Sequence, residues 1–384
     1  MSQSRVRAQV QTWKTHLPKV TPYYAVKSNP EPYLLEEIIR AGFGFDCASA
    51  REIDVVSAFK TNSPIVYANP CKKTSDILYA SSHGIQTTVI DSIEEVEKLH
   101  ASKWRGDSLL RIRVDDSKSM IPFSKKFGVN FTDVSYIAKY AFLRGQHISG
   151  VSFHVGSGSG DSEQFSKAII TASDVLYTLR EYGHSAKIID IGGGFTKETF
   201  IQDAKQIRLR MPHLSKDTVF IAEPGRFLSE TSHDLFVKVI GKKPAESGNG
   251  FRYTIDESLY GQFSCIPFDG AKPKWLRIRH SNEEQRAFLP GILYGRTCDS
   301  VDMIASSSEM EELMEGDLLW FPYMGAYTSV TSSEFNGFPR PYVYKLEEEK
   351  KQLPHPSDFL PNVWPRNVTY VSSVKVPSSI LGKY

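Results

Sequence analysis

The chain has 384 residues, 40% hydrophobic and 23% charged, with 46 Lys and Arg against 44 Asp and Glu. That is ordinary globular composition with enough length for two full cores, and the interspersed charges, net +2, exclude a nucleic-acid footprint or a polybasic membrane patch. No apolar run reaches membrane-span length, the N-terminus lacks a secretory core, and Cys47, Cys71, Cys265 and Cys298 form no C-x-x-C pair, so a cytoplasmic protein with reduced thiols and no metal is expected.

Residues 1–19 predict a surface helix, because Val6, Val10, Trp13 and Leu17 recur at helical spacing; the lack of any acid in residues 1–30 is only a faint transit-peptide bias. From 20 to 235 short apolar runs alternate with amphipathic stretches such as 34–40, 50–59, 92–100 and 165–182. The runs, at 21–26, 44–47, 65–68, 87–90, 109–114, 150–154, 187–191 and 219–223, are continuously apolar, as parallel strands covered on both faces must be. Eight of them with intervening helices predict a closed (β/α)8 barrel. Lys27, Asp46, Asn69, Asp91, Arg113, His154, Asp190 and Glu223 fall at the strand ends, on the face where such barrels place their active sites. Residues 236–346 predict a second, all-β domain of sandwich or barrel type, with strands at 235–240, 252–255, 318–321 and 342–346. A charge run and several prolines make 347–384 a loosely packed tail.

Four strand-end features carry chemistry. Lys27 sits at a strand exit, where desolvation suits an amine that must form an imine; a lysine reaching to water is the plainer reading. His154 offers a planar ring, with Ser157 and Ser159 behind it for phosphate oxygens, or is simply a structural histidine. Gly192, Gly193 and Gly194 lie between a strand and a helix, as a phosphate cradle or a tight turn. Glu223 and Arg226 offer a carboxylate for a ring nitrogen and a cation for a phosphate, or a surface ion pair. Together, an amine, a stacking ring, a phosphate cradle and a carboxylate meet the requirements of pyridoxal 5'-phosphate. A carboxylate at the pyridine nitrogen keeps it protonated, which favours carbanion chemistry such as decarboxylation and opposes racemisation.

These residues resemble the eukaryotic-type ornithine decarboxylases of the alanine-racemase-like fold. The resemblance runs through Tyr24-Ala25-Val26-Lys27, Phe45-Asp46-Cys47-Ala48-Ser49, Tyr67-Ala68-Asn69-Pro70-Cys71-Lys72, the His154 and Asp190 motifs and Glu223-Pro224-Gly225-Arg226. It continues through Tyr260-Gly261, Phe268-Asp269, Thr297-Cys298-Asp299-Ser300, Met324-Gly325-Ala326-Tyr327-Thr328 and Phe335-Asn336-Gly337-Phe338. The resemblance implies that Lys27 carries the cofactor with Asp46 close by, His154 stacks on it and Glu223 meets its ring nitrogen. Ser157, Gly194, Arg226 and Tyr327 would bind the phosphate. It further implies a homodimer with shared sites, in which Cys298 returns a proton to the α-carbon, Asp269 and Asp299 hold the distal ammonium, and Lys126 pairs with Asp302 across the interface.

Two departures stand out. The family's chains have a strand of the β domain ahead of the helix that precedes Lys27, and here the helix comes first; either the start is truncated or that domain has an exposed edge. Gly270 and Arg296 replace the family's His and Pro. An arginine near the cleft disfavours a second cation and welcomes a carboxylate, so a paralogue acting on an amino acid with an anionic or cyclic distal group is the alternative to ornithine. The expectation for Arg296 is that it faces solvent. A catalytically silent regulatory homologue is a third reading, opposed by the retention of Lys27, Glu223, Cys298 and Asp299.

Overall fold

The computed structural model describes residues 1–121, 124–159, 161, 163–246, 248–279, 283, 285–346 and 366–370. It divides into two compact units, Gln3–Ser229 and a second unit of Met1–Ser2 with the chain from Glu230 onward. The division falls between Ser229 and Glu230, and the N-terminal helix groups with the barrel.

In the first unit, helix α1 (Gln3–His16) buries Val6, Val10 and Trp13. Trp13 donates through Nε1 to Val20 O at 3.1 Å and meets the Phe195 and Phe200 rings at 5.2 and 5.3 Å. Strands β1 (Val20–Ala25), β2 (Gly44–Cys47), β3 (Ile65–Tyr67), β4 (Thr87–Ile90), β5 (Asp107–Arg111), β6 (Ile148–Ser152), β7 (Ile188–Asp190) and β8 (Val219–Ala222) form a closed parallel barrel in chain order. Closure is made by Val20 paired with Phe220. Val66, Val89, Leu109 and Ile221 cluster inside, packed by Tyr23, Ala68 and Ile188; burying each aliphatic side chain contributes roughly 1.5–3 kcal/mol.

Helices α2 (Pro32–Arg40), α3 (Ala50–Ser57), α4 (Thr74–Ser82), α5 (Ile93–Ala101), α6 (Val134–Leu143), α7 (Gln164–Glu181) and α8 (Phe200–Arg210) follow the first seven strands. Two of them start on similar caps, Ser49 accepting from Glu52 N and Ser92 from Glu95 N. Between β5 and α7, Ser119–Ile121 and Ser157–Ser159 make a small antiparallel ribbon that fixes the chain after His154.

The second unit is a seven-stranded sheet of β9 (Leu235–Pro244), β10 (Phe251–Ile255), β11 (Leu276–Arg277), β12 (Phe288–Tyr294), β13 (Met303–Glu311), β14 (Leu318–Phe321) and β15 (Arg366–Tyr370), in the order β11-β14-β9-β10-β12-β13-β15. Its core holds Val239, Ile255, Phe263, Leu293, Ile304, Leu319 and Phe321. Two expectations are corrected here. Residues 342–346 form no strand; their backbone bonds instead to the N-terminus, Met1 N donating to Tyr344 O and Leu346 N to Met1 O. Within the expected tail, β15 pairs antiparallel with β13, matching Ala305 with Tyr370 and Glu309 with Arg366, because alternating ladder groups on β13 would otherwise be open. Residues 347–365 and 371–384 lie outside the described residues.

Candidate active site

The C-terminal rim of the barrel gathers a cluster of acids. Lys27 lies in a single 3-10 turn, Val26–Ser28, that ends β1, and its Nζ sits 2.6 Å from Asp46 Oδ2 at the end of β2. The expected desolvated amine is corrected: the Lys27 side chain is 44% exposed, whereas Asp46 is fully buried, so the carboxylate holds an ammonium that water also reaches. Asp46 Oδ1 is buried with no hydrogen-bond partner. On α3, Glu52 accepts from Ala48 N at 2.6 Å, and burial raises its carboxyl above the usual range.

Asp190 ends β7 and Glu223 follows β8. Burial pushes Asp190 up to about 6, and burial followed by the Asp190 and Asp46 charges pushes Glu223 well above the ordinary range. Glu223 Oε1 is buried and has no hydrogen-bond partner. A buried carboxyl left in that state costs on the order of 1–3 kcal/mol per lost bond, which is the mark of a place kept for a ligand donor.

The glycines shape the rest. Gly192 and Gly194 have φ of +65° and +98°, and a Cβ there would meet Phe153 O at 2.2 Å and Gly156 O at 2.1 Å. At Gly193 a Cβ would lie 2.7 Å from Glu223 O and 3.1 Å from His154 Nε2, so only glycine lets the ring and the carboxylate's backbone come together. His154 Nδ1 accepts from Gly156 N at 3.0 Å. Burial first, then Arg111 and Lys27, holds this imidazole well below its ordinary range, so it is a neutral ring. Ser157 is buried beside it, and Arg226 opens the short helix Arg226–Ser229. Ser28 and Ser229 join β1's exit to that helix through their hydroxyls at 2.5 Å.

Arg111 was missed in the sequence, where Arg113 was read as the strand-end cation. The strand ends at Arg111, three residues before the apolar run does, and Arg113 is exposed. Arg111 packs on the Phe127 ring at 5.1 Å and its charge acts on both His154 and Glu223. The alternation Arg111-Ile112-Arg113 was the available signal, since only one of two same-parity positions can be the last in register.

The remaining candidates belong to the second unit. Cys298 is exposed, with its backbone N–H on Asn336 Oδ1 at 3.1 Å. Asp299 accepts from Tyr260 OH at 2.5 Å and Val301 N at 3.1 Å, and the Tyr260 hydroxyl holds it below the usual carboxylate range. Asp269 ends the short helix Cys265–Asp269, and Gly270, at φ +64°, is the left-handed C-cap that turns the chain away, a position where histidine would be strained. Tyr327 is half-buried at φ +55°. Arg296 does not face open solvent as expected: it is half-buried, 4.5 Å from the Phe338 ring centroid, and donates to Pro339 O at 2.9 Å. Asp302 is held inside its own loop. It is 1% exposed and accepts from Leu259 N, Thr297 N and Thr297 Oγ1 at 2.8, 3.0 and 2.6 Å, so its carboxylate braces its own loop; in the barrel unit, Lys126 rests on the Phe127 ring at 4.9 Å.

The barrel rim fits pyridoxal 5'-phosphate. Lys27 supplies an amine, Glu223 Oε1 a free acceptor for a protonated ring nitrogen, His154 an uncharged face, and Gly192 to Gly194 a backbone concavity that any side chain would fill.

Comparison with known proteins agrees. Residues 3–230 match the family model described as pyridoxal-dependent decarboxylase, pyridoxal binding domain. A probable ornithine decarboxylase of Dictyostelium discoideum is 37% identical over 367 residues, 90% of this chain and 79% of the relative. Antizyme inhibitor 2 of Xenopus laevis is also 37% identical, over 85% of this chain and 76% of its own. Among solved structures, the arginine decarboxylase of Paramecium bursaria Chlorella virus superposes with a TM-score of 0.86 at 33% identity, covering 90% of this chain and 94% of that one. No helix among the described residues is long and apolar enough to cross a membrane. With a barrel whose rim accepts this cofactor and a family match across the whole of it, the chain belongs to the pyridoxal-dependent decarboxylases.

Proposed function

We propose that the protein decarboxylates L-ornithine to putrescine, as a homodimer whose two active sites are shared between subunits in the cytoplasm. The observation that carries the reaction type is Glu223 Oε1, a buried acceptor without a donor on the barrel rim. When bound, the cofactor supplies an electron sink for the pair released as the bond between the α-carbon and the carboxylate breaks. Lys27 is its attachment point, and Asp46 orients that amine through their ion pair. Glu223 holds the proton on the ring nitrogen, which keeps the sink strong. His154, being neutral, covers the ring without competing for that proton. Backbone amides of the glycine turn, with Ser157, Arg226 and Tyr327, hold the phosphate.

Cys298 returns a proton to the α-carbon, and its exposure in one subunit's structure is what a residue donated to a neighbour requires. Asp299, ionised and fixed by Tyr260, binds the distal ammonium together with Asp269. Arg296 supports a cationic substrate, because its charge is spent on the Phe338 ring and a carbonyl. Four free cysteines support the cytoplasmic reading.

Carbon dioxide release across ornithine, lysine, arginine and an amino acid with a second carboxylate tests the substrate: ornithine should lead, and preference for the diacid would promote the paralogue reading. Absence of any release from cofactor-loaded protein would favour a silent regulatory homologue, and the 37% identity to a protein named as an inhibitor is the observation behind that second reading. Mixing inactive Lys27→Ala and Cys298→Ala subunits should restore roughly a quarter of wild-type activity, since half the random dimers regain one of two sites. No recovery despite proven exchange refutes the shared site.

A further inference from the structure

Asp190, on the barrel rim, has no part in the chemistry above. Asp190 is fully buried and both of its oxygens are engaged, Oδ1 by Gly192 N at 2.9 Å and Oδ2 by Ser152 Oγ at 3.0 Å. The same carboxylate shares a hydrogen bond with the Glu223 carboxyl, an arrangement that needs one proton between the two groups. Gly192 O in turn accepts from Glu223 N at 2.7 Å. Asp190, the first glycine of the cradle and Glu223 thus form a closed ring of contacts, held from outside by Ser152 on β6. One Glu223 oxygen, Oε1, remains over.

We propose that Asp190 is a positioning residue: it orients the Glu223 carboxyl so that Oε1 is left for the pyridine nitrogen, and by the same side chain ties Gly192 into the phosphate cradle. A long, flexible glutamate in a cavity would otherwise sample several rotamers, and an anchored one meets the nitrogen without reorganising. Asp190 touches neither substrate nor cofactor in this role; it acts through Glu223. The inference rests on the reading that Glu223 meets the ring nitrogen.

The test compares binding of pyridoxal 5'-phosphate with that of its 1-deaza analogue, in which carbon replaces the ring nitrogen, to cofactor-free protein. Wild type should prefer the natural cofactor by roughly tenfold or more, the worth of one charge-assisted hydrogen bond. Asp190→Ala should lose most of that preference. Asp190→Asn, which can still accept from Gly192 and donate to Glu223, should keep it within about threefold, as a conservative rescue. In a Glu223→Gln background the same Asp190 changes should have less than about a twofold effect on preference. If Asp190→Ala does not fold, Ser152→Ala loosens the same carboxylate and should give a smaller loss with the same selectivity. Equal loss for both ligands would make Asp190 a support of the glycine turn alone and overturn the proposal. Lack of preference in wild type would instead overturn the Glu223 reading, and the proposal with it.

Discussion

Two buried charge clusters stand on the same barrel rim, and they are built on opposite terms. Lys72, after β3, is wholly buried and its ammonium has three acceptors: Asn69 O at 2.9 Å, Val89 O at 2.7 Å and Glu95 Oε1 at 2.8 Å. Glu95 Oε2 takes Lys98 at 2.5 Å, and Lys98 also donates to Lys72 O. Every donor of Lys72 is used, and although burial lowers its pKa, the Glu95 charge works against that shift. The Asp46, Asp190 and Glu223 cluster has three acids near Lys27 and Arg111, and it leaves Asp46 Oδ1 and Glu223 Oε1 with nothing to accept. Burial is common to both and so marks neither as functional. The difference is saturation: a closed network fixes a loop, whereas an open one keeps a place for a donor that arrives with a ligand.

Substitutions should separate the two clusters by what each one damages. The largest effect belongs to the open one. Glu223→Gln should lower kcat/KM by about 10²- to 10³-fold, the scale of losing one pre-organised electrostatic contact, while making the cofactor-free fold more stable at pH 8 than wild type. The sign follows from the raised folded pKa of Glu223: the fold binds a proton that the unfolded chain has released, so the stability it gives is complete below the ordinary carboxylate pKa and is lost as pH rises through the folded value. Urea titrations at pH 5 and pH 8 should therefore show the gain only at the higher pH.

Lys72→Met should do the reverse. Removing the ammonium leaves Glu95 with a buried oxygen short of its partner, and about 3 kcal/mol of stability should be lost in denaturant titration without any change in preference between the cofactor and its deaza analogue. Lys72→Met combined with Glu95→Leu should recover much of that loss.

Asp203 on α8 lies between the two extremes. It is 1% exposed, burial pushes it up to about 6 against a Thr199 hydrogen bond, and its Oδ2 is buried without a partner. Asp203→Asn should change nothing near pH 4 and stabilise the fold by roughly 2–3 kcal/mol above pH 7, because the wild-type acid is held protonated only at increasing cost through that window. The smallest effect is expected at the surface. Lys118, 64% exposed, pairs with Asp161 at 3.0 Å, and Lys118→Ala should leave the urea midpoint within error of wild type.

The barrel was legible because doubly covered parallel strands must be apolar throughout, so each run stands out against its amphipathic neighbours. The second unit was harder. β12 contains Pro290-Gly291 and β13 contains Ser306-Ser307-Ser308-Glu309, which break the alternation that marks a strand, and β15 is hidden behind a charge run and prolines. Lys27, Asp46, His154, the glycines and Glu223 could be named because they end strands or bend the chain. The link from Asp190 to Glu223 could not, since it spans two strands and no local pattern encodes it. The hold of Asp302 on its own loop was hidden for a related reason: its partners Leu259 and Thr297 come from separate segments, and no local pattern encodes them.

The Asp302 clamp also bears on how such an enzyme changes its chemistry. Its carboxylate binds Thr297 on one side and Leu259 beneath, and it fills the space that a side chain at Gly295 would need, so the loop's path is set by residues that flank Cys298 and Asp299. Cys298 hangs from a frame that its own side chain does not build, whereas the Asp299 carboxylate also braces the loop through Val301 N and Tyr260. Substitution at 298 should then leave the frame folded, which makes this position an exchangeable tool head on a fixed handle.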